Sequence, residues 1–421
     1  MRQFFTLYRF ELKKIFQKWY VPALLALCIA STIFLNVRPL LDERTVAYVD
    51  EQQQFHFGTI TKYEAFQLER RFAREDAGKL LDNEAAWAMR EMNDQYQEIY
   101  NQYTTAPTCV LLNHYLVFDS MRQTGINPMY DGTEYPADFA YQTMVENQTW
   151  EFSSQQLTQE EIDYWERERS RLTTPFTIEY ASGYEGILEK AYWLNLMALL
   201  FTLVSLCGSF SDDDVYKTRP LLTSSVHGRL PLTLARLAAG ISLACGGVLL
   251  LFGLTAAIQF FVHGVSGARM PIQLLGLEEA WTGAGTVFLS GSCRVMTAGQ
   301  AVLTTVGMSL LIALFAGALS MLLSKLLRRA VPALALPMGL LLLSLYYDPF
   351  FYDQDRVRAQ IWSYMPIQRL SQNFLLDERL VSLGGVQLDC IPVSVLLYGG
   401  LAAIALVTCV WSCKARAVDK M

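Results

Sequence analysis

The side chains of this chain that could do chemistry are few: four histidines, a run of three aspartates, and scattered polar groups inside long apolar stretches. His56, His114, His227 and His263 lie outside the uncharged stretches, and no HExxH spacing sets two of them on one helix face. A zinc peptidase or a Ser-His hydrolase buried in a bilayer is therefore not expected. No GxxxxGK[ST] loop is present to cradle a nucleotide's phosphates, so the chain should not hydrolyse ATP by that route and is not expected to be an enzyme. The eight cysteines form no CxxC pair, so no metal site follows and they read as small apolar packing residues. Cys109, Cys293 and Cys390 fall on one side of the topology derived below, which leaves a Cys293–Cys390 bridge open. Asn195, Ser205, Gln259, Gln300, Thr304 and Thr305 could line a path for an amphiphile, although hydrogen bonding between helices is the commoner use of such groups. Asp348, Asp353 and Asp355, beside Tyr346, Tyr347 and Tyr352, come nearest to a catalytic cluster at an interface. A solvated loop with interfacial tyrosine anchors explains them better.

The elements that must position these groups are set by charge. Only 18% of the 421 residues are charged, and six windows carry no charge at all: Trp19–Val37, Ala191–Ser211, Leu237–Val262, Val295–Ser324, Ala330–Tyr347 and Cys390–Cys413. An apolar helix of about 20 residues crosses the hydrocarbon layer, so each window can be a span, and a soluble single domain is excluded. The windows hold no Asp, Glu, Lys, Arg or His, which disfavours a proton- or ion-coupled carrier, since such carriers place charge at mid-membrane. The first window could be the apolar core of a signal peptide, but a long charged region precedes it. Leu25-Ala26-Leu27-Cys28 also has Leu where a lipoprotein cleavage site needs a small residue, so an uncleaved helix is expected.

Lys and Arg collect at cytoplasmic helix ends. Fifteen lie in the N-terminal segment, Asp212–Arg236, Lys325–Arg329 and the tail, against six in the two short connections of the other side, which puts both termini inside. The 153-residue insert from Arg38 to Lys190 is then external, with 13 basic and 27 acidic residues. Its patterns read as helical. Met89, Met92, Tyr96, Ile99 and Tyr103 form a stripe at helical spacing, and Thr158 with Glu161 has the spacing of a capping box, with Leu157 and Ile162 as the staple around it. A helix is expected from about Gln159, a division at the turn-rich Gly125–Pro136, and short strands near Pro107–Phe118. The reading is an all-α integral membrane protein of six transmembrane helices with a large, mainly helical extracytoplasmic domain between spans 1 and 2. Residues 1–18 form an interface helix, 19–37 span 1, 38–190 the external domain, 191–413 spans 2–6 and 414–421 a tail.

Two segments on the inner side stand out. MRQFFTLYRFELKKIFQKW places Phe5, Tyr8, Leu12, Ile15, Phe16 and Trp19 on one side of a helix and Arg9, Lys13 and Gln17 on the other, as in a helix lying in the membrane surface. The loop 212–236 mixes three acids with Lys217, Arg219 and Arg229 around Leu221, Leu222 and Val226, a composition that suits docking on a soluble partner.

With the amphipathic RFELKKIF, the large insert behind it and FSDDDVYKTRPLLTSSVHGR before the third span, the chain resembles permeases of the ABC type-2 exporter family. Phe210, Asp214, Lys217, Thr218, Leu221, Leu222, Ser224, Ser225, Arg229 and Arg236 match the family's pattern in this loop. Members usually carry Lys where Arg236 stands and often Glu where Asp214 stands. The resemblance implies the membrane subunit of an ATP-driven exporter of an amphiphilic compound, peptide or lipid, in a bacterial plasma membrane. It implies a separate ABC ATPase carrying ATP and Mg, and a second permease copy or related permease completing a dimer. It implies coupling to the ATPase through Glu11, Asp214, Tyr216, Lys217 and Arg229. The chain itself would bind no cofactor, and no nucleic-acid partner is expected. The rival reading is a sensor or resistance module whose acidic external domain captures a peptide.

Overall fold

The computed structural model describes residues 2–50, 52, 54–82, 84–85, 109–111, 139–218, 230–278, 286–346 and 356–418. Five helices are long and apolar enough to cross a membrane: α2 (Tyr20–Val37), α6 (Ser182–Leu206), α8 (Leu230–His263), α9 (Ala298–Leu327) and α12 (Cys390–Val418). The sixth window forms an apolar helix, α10 (Ala330–Tyr346), that is shorter than these. The remaining helices are α1 (Arg2–Phe16), α3 (Lys62–Asp76), α4 (Phe139–Ser154), α5 (Gln159–Arg169), α7 (Ser211–Val215) and α11 (Arg356–Ser363).

The apolar helices form a bundle arranged by burial. In its apolar stretch α6 is 78% buried whereas α2 and α12 are 22% and 28% buried, so α6 is the central helix and the other two lie on the rim. Leu194, Ala198, Phe201 and Leu206 of α6 meet Leu243, Ala244 and Val248 of α8 together with Ala313 and Met321 of α9. On the other flank of α6, Tyr192, Leu199 and Leu203 pack with Ile312 of α9, Leu341 of α10 and Tyr398 of α12.

Local spacing fixes the ends of several elements. Glu161 accepts from the Thr158 N–H at 2.7 Å and from its hydroxyl at 2.9 Å, and α5 starts at Gln159 as the capping spacing requires. Leu157 and Ile162 pack on one cluster around Trp165. Thr61 and Glu64 cap α3 in the same way, and Thr297 and Gln300 cap α9.

The insert differs from the helical expectation at its start. β1 (Glu43–Val49) and β2 (Phe55–Thr61) form an antiparallel hairpin in register Glu43↔Thr61 to Val49↔Phe55, and β4 (Cys109–Leu111) adds in parallel to β1. The reason is the period-2 face of Val46, Tyr48 and Ile60, which buries against Ala65, Leu68 and Phe72 of α3. The strand at 109–111 lies within the stretch where strands were expected. The 89–103 stripe, the Gly125–Pro136 turn region and the acids Asp348, Asp353 and Asp355 fall outside the described residues.

The end of the bundle that carries the insert is covered by a shared core. Leu81, Phe176 and Ile178 of the insert pack with Ile272, Leu275 and Leu289 from the connection between α8 and α9, and with Phe374 and Leu375 from the segment before α12. The two short connections are thus built into this cap.

Candidate functional site

At the opposite end of the bundle, α1 lies against the base of α8. Tyr8, Leu12 and Ile15 turn into the bundle core, while Phe5, Phe10 and Trp19 face outward, Trp19 81% exposed. The sequence reading put Phe5, Phe16 and Trp19 on the same side as Tyr8, Leu12 and Ile15. The structure separates them, so the inward face is narrower and shares its edge with two charged residues, Glu11 and Lys14.

Glu11 is 3% exposed, and the reason is Arg236 on the second turn of α8. Arg236 Nε donates to Glu11 Oε2 at 2.9 Å and Nη2 to Oε1 at 3.1 Å, while Nη1 donates to Asp213 Oδ2 at 2.6 Å. Asp213, on the short helix α7, also accepts from Lys14 Nζ at 3.0 Å, and Lys18 pairs with Asp212 at 2.6 Å. A guanidinium out of water is tolerated when its donors are matched to carboxylate oxygens, and its planar fork reaches two acids at once where an ammonium would act as a point charge. Arg236, with an acid on each side, is placed to use that fork. Burial alone would lower the Lys18 pKa, but the Asp212 hydrogen bond and charge outweigh it and hold the ammonium above its ordinary value.

The cluster extends to α9 and α12. The Phe210 ring lies 5.0 Å from Arg236 and 5.4 Å from Lys325, and the N–H groups of Phe210 and Ser211 both donate to Ser324 Oγ at 3.1 Å. Lys325 donates to the Cys409 carbonyl of α12. Five elements are fastened around one buried arginine.

Of the residues that the resemblance singled out for coupling, Glu11 sits at the centre of this cluster. Asp214 is half-buried on α7, but its neighbour Asp213 takes the arginine. Tyr216 is 74% exposed and Lys217 is exposed at the end of α7, with a left-handed φ of 56°. Arg229 lies outside the described residues. Sequence reasoning missed Asp213, Asp212, Lys14 and Lys18. The run Asp212-Asp213-Asp214 signalled that one acid would turn inward, but which one depends on the phase of a five-residue helix.

The polar residues considered as a path are used in different ways. Asn195 Nδ2 donates to the Leu370 carbonyl at 3.1 Å, and Gln259 Nε2 donates to Asn36 Oδ1 at 2.8 Å, with Asn36 in turn donating to Thr255 at 3.2 Å. Ser205 is fully buried on α6 with its hydroxyl unpartnered among the described residues. Gln300 is exposed in the α9 cap, Thr304 is half-buried, and Thr305 bonds the Ala301 carbonyl of its own helix at 2.9 Å. The void bounded by Leu199, Leu203, Ile312, Phe315 and Leu341 has a volume of about 20 Å³, enough for a single water.

The insert-side cap holds a second ionic cluster, in loops that the sequence reading treated only as connections. Arg294 donates to the carbonyls of Leu375 and Asp377 at 2.6 Å each, pairs with Asp389 and lies 4.8 Å from the Trp165 ring. Asp377 accepts from Arg369 at 2.6 Å and from Arg379 at 2.8 Å. Burial would raise the Asp377 pKa, but the two guanidinium groups outweigh it and hold the carboxyl well below its usual range. Next to it, burial pushes Glu378 up to about 8. Its Oε1 accepts from the Cys293 N–H at 2.7 Å, while Oε2 has no partner among the described residues. Cys293 and Cys390 are both buried free thiols, so the bridge left open by the sequence is not formed. Among the described residues no group of His, Cys, Asp and Glu could hold a metal ion. No family model matches the chain, and no characterised protein matches it.

Proposed function

We propose that this chain is the membrane-spanning permease subunit of an ATP-driven exporter, working with a separate ATPase. In this reading α10 is the sixth span, both termini are cytoplasmic, the insert and the cap are external, and the membrane is a bacterial plasma membrane. The observation that carries it is the Glu11–Arg236–Asp213 cluster. It joins a surface helix, a short connecting helix and a long span into one unit at the end that would face a soluble motor. Tyr216 and Lys217 project from the same unit and are free to meet that motor, which would bind the ATP and Mg.

In this reading the path for an amphiphile runs along the exposed faces of α2, α8 and α12, completed by a second permease. Apolar helices with no Asp, Glu, Lys, Arg or His in their uncharged windows suit a protein whose energy arrives from outside the membrane.

The test is co-expression with an ATPase encoded beside the chain and purification of the pair in detergent. A stable complex whose ATP hydrolysis responds to reconstitution in lipid supports the reading. A chain that purifies alone and leaves the hydrolysis of that ATPase unchanged removes it, in favour of a sensor.

A further inference from the structure

On the cap, where α6 and α8 emerge from the bundle, a cleft of about 700 Å³ opens between α3, the residues before α6 and the turn after His263. Arg70, Arg74 and Arg269 line it, with Glu179 as the single acid. None of the three arginines makes an ion pair or hydrogen bond among the described residues.

The cleft is built. Gln67 donates to the Val262 carbonyl at 3.1 Å and Phe66 lies 4.4 Å from the His263 ring, so α3 is pinned on the end of α8. Gly264 then turns the chain at a φ of +90°, and a Cβ there would lie 2.9 Å from Arg70 Nη2. The glycine both permits the turn and lets the guanidinium lie against the backbone. Gly267, at a φ of +89°, packs so closely on the Tyr180 carbonyl that no side chain fits. Val265 in the cleft wall is 66% exposed, and Phe261, on the last turn of α8 before Gly264, is 77% exposed.

We propose that this cleft binds the phosphate group of an amphiphile seated at the bilayer surface, with the arginines on the phosphate oxygens and the acyl part along Phe261 and Val265. Guanidinium forks match phosphate oxygens two at a time, and pockets of this volume hold ligands of headgroup size. Three cations against one acid leave a net positive site for an anion. The proposal uses the placement of the cap at the membrane surface but not the ATPase.

The experiment places the full chain in phosphatidylcholine nanodiscs containing a minor fraction of phosphatidic acid and counts retained phosphatidic acid by native mass spectrometry, without any ATPase. The R74Q/R269Q double variant should retain about tenfold less, the loss of one or two charge-assisted hydrogen bonds. Both side chains are exposed, so the fold should survive. Glu179→Gln should move retention the other way, upward, which a merely structural defect would not do. If inorganic phosphate displaces the lipid, the site takes the free anion as well. If it does not, the site requires the headgroup on its tail. Unchanged retention in R74Q/R269Q, or a decrease in E179Q, overturns the proposal. Either result leaves the exporter reading to its own test.

Discussion

Arg236 shows how a buried charge can fix a structure at a single residue. Because its fork is divided between Glu11 and Asp213, the loss of either acid strands part of a guanidinium away from water. Glu11→Gln should lower stability by about 3 kcal/mol, the usual cost of removing one partner of a buried pair, measured by thermal unfolding in detergent. Arg236→Lys should recover only part of the loss seen in Arg236→Met, because an ammonium cannot reproduce the forked pair to Glu11 together with the bond to Asp213. Exposed Lys217 and half-buried Asp214 differ in kind. On the exporter reading, reversing both charges should leave membrane insertion unchanged and lower transport-linked ATP hydrolysis. Unaltered coupling would remove the pair from the mechanism. Glu378 gives a pH effect with a definite sign. Its folded pKa is raised to about 8 from an ordinary value of 4.5, so the folded state holds its proton more tightly than the unfolded one. Its contribution is therefore most favourable below pH 4.5 and is lost as pH rises towards 8, by at most about 1.4 kcal/mol per pH unit. Unfolding curves of the wild type and E378Q should diverge across that window, and parallel curves would show that the carboxyl is ionised throughout.

At the level of elements, what could be read in advance was local. Thr158 and Glu161 announce α5 because a capping box is closed within four residues, and the apolar windows announce the long helices because uncharged length suffices. The hairpin at 43–61 was hidden, since its alternation of Val46 and Tyr48 is brief and becomes meaningful only against α3. The cap cluster was hidden for a different reason. Arg294 meets the carbonyls of Leu375 and Asp377 across about eighty intervening residues, and nothing in the spacing of either loop signals the other. The cap also makes a prediction for the thiols. Cys293 is buried and its thiol is pushed up strongly by that burial, so neither it nor buried Cys390 should react with a maleimide until the chain is unfolded. Labelling of the native protein at both positions would mean that the cap opens readily.

Across the whole molecule, the acidic insert and the short connections share one core, so the cap should resist separation from the bundle. Limited proteolysis should leave both 265–278 and 363–389 uncut until the chain unfolds. Early cutting in either stretch would mean that the cap is loosely held. The single helix α8 spans both regions described above. It carries Arg236 near one end and runs directly into the Gly264 turn at the other, across 34 residues or roughly 50 Å at the α-helical rise. A helix of this length with packed sides acts as a lever. A small tilt imposed at the ion-paired base would swing the arginine cleft by a larger distance.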